Sequence, residues 1–351
     1  MEMSRFAAPG GPEERFLVLS GGPAKDFRAE AEELLARCRE AAGGTAPLMV
    51  RFHLSDVTNQ APVLREILAR EMPGAAVSLV GQMPLHGSRM VLEGWFTARP
   101  SAQLAFLPGS DSGAAASYDQ MKQLFTELET TLAPRRNVAE HVLRTWIYCR
   151  DIDNNYAGLV KARRDYFDSI GLTAATHYIA STGIGGTAER PGQLVLMDAL
   201  VTDGVAPEQI EYMHAPEHLS PTHIYGVTFE RGVRLTHRDR SHFFLSGTAS
   251  IDKEGRIVHP GDVAKQTARM LENVAALLEH HQGKMSDLAQ AMVYLRDPAD
   301  RDTVEAILRE RIGAHCAFAL LLAPVCRPGW LVELDGIAVN RRGNAAFPEW
   351  N

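Results

Sequence analysis

Apolar and polar positions follow the same order three times along this chain: a strand-period run closing on aspartate, a helix-period stretch, then two further strand-period runs. The first copy predicts a strand over 48–56 ending in Asp56, a helix over 59–71, and strands over 76–80 and 90–95. The second predicts a strand over 142–151, a helix over 156–170, and strands over 176–184 and 194–201. The third predicts a strand over 288–297, a helix over 301–312, and strands over 315–323 and 330–339. Ile147-Tyr148-Cys149-Arg150-Asp151 against Val293-Tyr294-Leu295-Arg296-Asp297 is the best match between copies. An amphipathic helix precedes each block, over 26–42, 118–132 and 263–281. Each carries one apolar stripe, such as Met270, Leu271, Val274, Leu277 and Leu278, and Gly283 ends the last.

Strands are also expected upstream of these helices, over 16–20, 102–107, 224–229, 233–237 and 242–251. Residues 217–221 read as loop, and 108–116 and 202–221 as extended connections. A repeat of this length predicts three small units instead of one large domain. Each unit is α+β, a small mixed or antiparallel sheet with two helices on one face. The boundaries fall at 1–99, 100–203 and 204–351, the last opening with a linker hairpin.

Composition narrows the class. The 351 residues are 45% hydrophobic and 23% charged, values of a water-soluble globular protein. A formal charge of −7 with no basic stripe argues against a nucleic-acid partner. No run approaches the ~20 apolar residues of a membrane span. Residues 1–15 carry Glu2, Glu13 and Glu14 and lack the apolar core of a secretory signal. Cys38, Cys149, Cys316 and Cys326 form no CxxC pair, so a reduced, cytoplasmic protein is expected.

The repeat also sorts candidate chemistry, because framework residues recur whereas a site sits in one copy. Along the last strand Leu331, Glu333, Asp335 and Ile337 share a face. Laying Gln193–Asp198 on Trp330–Asp335 sets Asp198 on Asp335 and Leu196 on Glu333. Asp335 is then framework, and Glu333 a carboxylate where a sister copy keeps leucine. Burial would raise its pKa and suit it to proton transfer near neutrality; the competing reading is an edge-strand glutamate in water. Cys326 would need a depressed pKa to act as nucleophile, with Arg327 beside it, or is a buried structural thiol. Arg231 and Arg327 are candidate carboxylate clamps, against the ordinary expectation of surface arginines. His214, His218 and His223 lie in a Pro-containing loop and not on one helix face, so no metal site is expected. Gly183-Ile-Gly-Gly186 lacks dinucleotide-motif spacing, and no cofactor is expected.

The third unit resembles the Rid (YjgF-like) family. The resemblance rests on Phe244-Leu-Ser-Gly-Thr-Ala-Ser-Ile-Asp252, Gly255-Arg-Ile-Val258, Asp262-Val-Ala-Lys-Gln-Thr267 and Leu271-Glu-Asn-Val274, and continues through Val293-Tyr-Leu-Arg-Asp297 to Leu331–Val339. It implies three Rid-like (chorismate-mutase-like) units in one chain: a covalent pseudo-trimer, monomeric, with a ligand cleft between units. Val325-Cys-Arg-Pro-Gly-Trp-Leu-Val-Glu-Leu-Asp-Gly336 resembles the chorismatase branch of that superfamily, in which a cysteine stands seven positions before the glutamate. From the resemblance Ser246 and Gly247 face the ligand, and Arg231 matches one chorismatase arginine while Tyr225 stands near the place of another. Where Rid imine deaminases clamp carboxylate with arginine, this chain has His315 or Cys316. Tyr178 is expected to face the third unit's cleft from the second.

These readings favour a hydrolase resembling chorismatase, converting chorismate or a similar enolpyruvyl or cyclic carboxylate to pyruvate and a hydroxylated ring acid. Glu333 would donate the proton, Arg231 and Arg327 would hold carboxylates, and Cys326 and Ser246 would shape the pocket. The alternatives are a Rid-type enamine/imine deaminase and a non-catalytic metabolite-binding protein.

Overall fold

The recurrent aspartates begin helices. In a computed structural model describing residues 2–99, 101, 103–110 and 112–350, Asp56 caps the next helix by accepting the Asn59 N–H. Asp297 accepts the Ala299 N–H, and Asp151 turns the chain with a left-handed φ of 46°. Each carboxylate satisfies or flanks backbone donors that a helix start leaves unpaired.

The first unit comprises β1 (Met3–Phe6), β2 (Glu14–Ser20), α1 (Phe27–Ala42), β3 (Ala46–Leu54), α2 (Val57–Glu71), β4 (Val77–Gly81), β5 (Met83–Pro84) and β6 (Met90–Thr97). The second comprises β7 (Leu104–Leu107), α3 (Ser117–Leu132), α4 (Val138–His141), β8 (Val142–Cys149), α5 (Ile152–Ser169), β9 (Ala180–Gly185) and β10 (Val195–Thr202). The third comprises β11 (Ile210–Tyr212), β12 (Gly232–Thr236), β13 (Ser241–Ala249), α6 (Val263–His280), β14 (Leu288–Leu295), α7 (Arg301–Arg311), β15 (Ala317–Leu322) and β16 (Val332–Asn340).

The sheet orders are β1-β2-β6-β3-β4, β7-β10-β8-β9 and β11-β12-β13-β16-β14-β15-β5. Removing the edge additions leaves one four-stranded order three times, each with its final pair parallel. Register makes the equivalence exact at the residue level: Glu333 lies opposite Tyr294, Leu196 opposite Tyr148, and Val91 opposite His53. Two residues on, Asp335, Asp198 and Glu93 are likewise equivalent.

Two helices pack on one face of each sheet over apolar side chains such as Leu34, Leu64 and Phe52 in the first unit and Phe125, Leu159 and Ile147 in the second. The opposite faces meet one another through a polar hub. There Arg51 binds Glu93 (2.5 Å) and Asp198 (2.8 Å), while Arg144 binds Asp335 (3.3 Å), which also accepts from Thr182 (2.6 Å) and Tyr294 (3.2 Å). These charges join the units pairwise.

Some expectations need correcting. Residues 224–229 form no strand: a 3-10 turn spans Thr222–Tyr225, and Gly226 takes φ 86°. The connection over 202–221 holds a 3-10 turn and β11, which β12 recruits as an edge strand. The edge strands β1 and β5 are too short to show a period. Ala102, the first residue of one expected strand, and Asp111, within an expected connection, lie outside the described residues. Among the described residues no helix is long and apolar enough to cross a membrane.

Candidate active site

A narrow cleft of about 30 Å³, room for a water molecule or two, lies between the second and third units. Two strands of the third unit form its floor. β16 supplies Glu333, and β13 supplies Gly247 and Ala249. Helix α5 contributes Tyr156 and Arg163, seven positions apart and so on one helix face. Ser181 and Gly183 come from β9; Tyr225, Val227, Phe229 and Arg231 from the linker; and Cys326, Arg327 and Trp330 from the turn before β16.

The registry of β13 against β16 slips between Leu245 and Thr248. Such a bulge frees one residue from the ladder and re-aims it. Gly247 uses that freedom: its N–H donates to Thr182 Oγ1 (3.0 Å) across the unit boundary. The Glu333 carboxyl fills the space above it, since a Cβ on Gly247 would stand 2.1 Å from Oε1. Glu333 is 5% exposed on a central strand, so it is no solvent-facing edge residue. Among the described residues none donates a hydrogen bond to its carboxyl. Burial first, and then the Asp335 charge, push its pKa up to about 8, with Arg144 and Arg231 opposing. It is therefore an acid at neutral pH.

Three arginines wall the cleft. Arg231 is buried, sends Nε and Nη2 to the Ser220 carbonyl (3.2 and 2.9 Å), and lies over the Tyr225 and Phe229 rings. Arg327 donates to the Tyr225 carbonyl (2.9 Å) and stacks on Tyr225 and Trp330. Arg163 is 1% exposed, reaches Thr228 (3.3 Å) and Ser181 (3.5 Å), and leaves Nη2 with no hydrogen-bond partner among the described residues. Its burial weighs against the charge, which Tyr156 and Cys326 favour. A buried guanidinium with a spare donor is a ready partner for an incoming carboxylate. Sequence reading passed over Arg163 and Tyr156; the available signal was an arginine set next to the apolar stripe of α5.

Cys326 lies in the cleft, but burial and then the Glu333 charge push its thiol up to about 12. It stays a thiol at neutral pH and forms part of the wall, as a pocket-shaping residue would. Gly247, Tyr225, Arg231 and Arg327 meet at the cleft with it. Ser246 does not: the bulge turns its hydroxyl toward the linker, where it donates to the Glu230 carbonyl (2.5 Å) and accepts from Ser181 N–H (2.9 Å). The Tyr178 ring stacks on Phe167 in the second unit's core, and only its N–H reaches the linker, at Glu230. His315 precedes β15, which starts opposite Gln290, whereas Glu333 pairs with Tyr294. Four residues of strand, about 13 Å, separate those levels, and His315 instead bonds the Met285 carbonyl (2.8 Å). Of the loop histidines, His218 and His223 stay out of any ligand cluster among the described residues, while His214 meets His280 and His281.

The sister positions are closed. Over Leu196, a Cβ on Gly109 would stand 2.4 Å from Cδ1, and the Gly109 N–H donates to Asp198 (2.9 Å). Beyond Val91, β5 adds to the edge of β15 and Leu85 N–H bonds the Leu320 carbonyl (2.9 Å).

Residues 232–340 match the family described as Endoribonuclease L-PSP. A chorismatase of Streptomyces hygroscopicus is 29% identical over 215 residues, 55% of this chain and 60% of that one. A chorismatase of Streptomyces rapamycinicus is 28% identical over 221 residues, 55% of this chain and 63% of that one. The matched region thus spans less than two thirds of either relative. A crystal structure of a chorismatase superposes with a TM-score of 0.69 at 22% identity, covering 95% of this chain and 99% of that chain. Residues 232–340 thus match the Endoribonuclease L-PSP family model, and the chain as a whole shares the fold of that chorismatase structure.

Proposed function

We propose that this chain, acting as a monomeric pseudo-trimer with units at 1–99, 100–203 and 204–351, hydrolyses the enolpyruvyl ether of chorismate or of a similar cyclic carboxylate. The observation that carries this reading is Glu333: a carboxylic acid at neutral pH, free of hydrogen bonds among the described residues, in an arginine-walled cleft. The likeness to proteins named chorismatase supports it.

In the first step the Glu333 carboxyl gives its proton to the terminal methylene carbon of the enol ether, and the alkene electron pair forms the new C–H bond. The central carbon becomes an oxocarbenium ion. Water, or a neighbouring ring hydroxyl, adds there and returns a proton to the Glu333 carboxylate. With water, the hemiketal collapses: its hydroxyl loses a proton as the C=O forms, the ether C–O bond breaks, and the ring oxygen takes up a proton, leaving pyruvate and the ring alcohol. Arg163, Arg231 and Arg327 would hold the substrate carboxylates, and Cys326, Tyr156 and Trp330 would shape the ring pocket. Excluding water keeps Glu333 protonated and strengthens each ion pair.

The direct test is pyruvate release from chorismate by the purified chain; none above the uncatalysed rate would sink the proposal. An enamine or imine deaminase is less well supported, since no arginine reaches the cleft from the start of β15.

Gly247 offers a second check. Gly247→Ala puts a methyl group where the Glu333 carboxyl sits, forcing the acid aside. Displacement by about 1 Å costs on the order of 10²-fold in turnover, with the circular dichroism spectrum unchanged. Turnover equal to wild type would mean that the carboxyl's seat on Gly247 is irrelevant to catalysis.

A further inference from the structure

Away from the cleft, three imidazoles converge from two distant parts of the chain. His280 ends α6, His281 follows it as the C-cap, and His214 comes from the segment after β11. Their nearest ligand atoms all lie within 4.8 Å of one another, and the ring centroids are 5.0–5.1 Å apart. His281 is buried, and its Nδ1 lies 2.9 Å from Glu211 Oε1. His214 Nδ1 lies 3.4 Å from the Tyr212 carbonyl. Hydrogen bonds from Nδ1 fix the tautomer with the lone pair on Nε2, the arrangement usual for metal-bound histidine. The site sits at the carbonyl end of α6, where the helix dipole favours a cation.

We propose that His214, His280 and His281 form a binding site for a divalent transition-metal cation, zinc above others, which clips the linker to the end of α6. Three imidazoles leave one position for water, and such a nitrogen set suits zinc or copper over calcium or magnesium. His281 Nε2 now lies 2.9 Å from the His214 N–H and 3.0 Å from its carbonyl. Coordination replaces the hydrogen bond from that N–H. The clipped segment leads six residues later to Ser220, whose carbonyl holds Arg231. The clip is thus a structural device behind the cleft wall, and its occupancy is independent of the reaction assigned to Glu333.

Cobalt(II) alone, added to the intact chain, tests the proposal through its visible ligand-field bands. Wild type should bind one equivalent, displaced by zinc, and His218→Gln should behave the same. His214→Gln and His280→Gln remove exposed side chains and should each weaken binding by about tenfold or more. Zinc should also slow amide exchange over 213–221 in wild type and leave the two variants unaffected. Failure of wild type to bind one equivalent, or equal binding by the His214→Gln/His280→Gln double variant, would overturn the site.

Discussion

Glu333→Gln is expected to slow pyruvate release from chorismate by roughly 10²–10⁴-fold, the usual contribution of a positioned general acid. Glutamine keeps the shape above Gly247 but has no acidic proton. The wild-type pH profile should carry the same signature. The carboxyl holds its proton to about 8, so kcat/KM should be level through neutrality and fall about tenfold per pH unit above that value. Stability moves with it. In the unfolded chain the group ionises near 4.3, so between about 4.3 and 8 the native state binds the extra proton, and stability falls as pH rises through that window. Glu333→Gln removes this dependence, and the variant should resist urea better than wild type at pH 8, by a few kcal/mol at about 1.36 kcal/mol per pK unit. Activity within tenfold of wild type, or an alkaline limb that survives the substitution, would remove Glu333 from the mechanism.

How much of this was legible beforehand depends on what each residue answers to. Glu333 could be found because the chain carries its own controls: Leu196 and Val91 occupy the same register positions beside Tyr148 and His53. Asp335 could be set aside for the same reason. Arg163 was hidden because it adjoins Arg164 on α5, and only packing decides that Arg163 turns inward while Arg164 reaches the Gly226 carbonyl. The linker was half readable. Tyr225, Val227, Phe229 and Arg231 alternate as a strand would, and all four line the cleft. Their partner is the ligand space instead of a sheet neighbour, so the period was right and the inferred strand was not. His315 was misplaced because position along a strand, unlike face, cannot be read from a period of two, and Tyr178 because its ring turns into the core of its own unit.

Charge patterning hid most of the hub, since Arg51, Arg144 and Glu93 look like solvated residues until three sheets close over them, and only the recurrence of Asp198 and Asp335 showed. That burial bears on how the equivalent strand positions differ. Asp198 is held by Arg51, by Ser78 Oγ (2.8 Å) and by the Gly109 N–H, which draws the covering segment across Leu196. The equivalent Asp335 is bound by Arg144, Thr182 and Tyr294, and Thr182 spends its oxygen on Gly247. One ring of equivalent carboxylates thus closes a sister cleft and braces the floor of the open one.

Arg51→Met should accordingly be the most damaging substitution outside the cleft. Arg51 is fully buried, with its guanidinium stacked 4.6 Å from the Trp146 ring centroid and bonded to Glu93 and Asp198. Its loss strands two carboxylates away from water, and removing one partner of a buried pair costs about 3–5 kcal/mol. Burial alone would push the Glu93 carboxyl up, yet Arg51 and then His53 hold it at about 2. In wild type this pairing contributes stability above the ordinary carboxylate range, lost as pH falls toward 2. Without Arg51 the carboxyl moves the other way and takes up a proton at mildly acid pH. The urea-measured stability gap between wild type and variant should therefore widen from pH 5 to pH 8. Adding Glu93→Gln and Asp198→Asn to Arg51→Met should close most of it, because neutral groups do not need the missing cation. A gap below about 1 kcal/mol, the size of an exposed pair, would mean that water reaches the hub and that the three units are joined by their apolar faces alone.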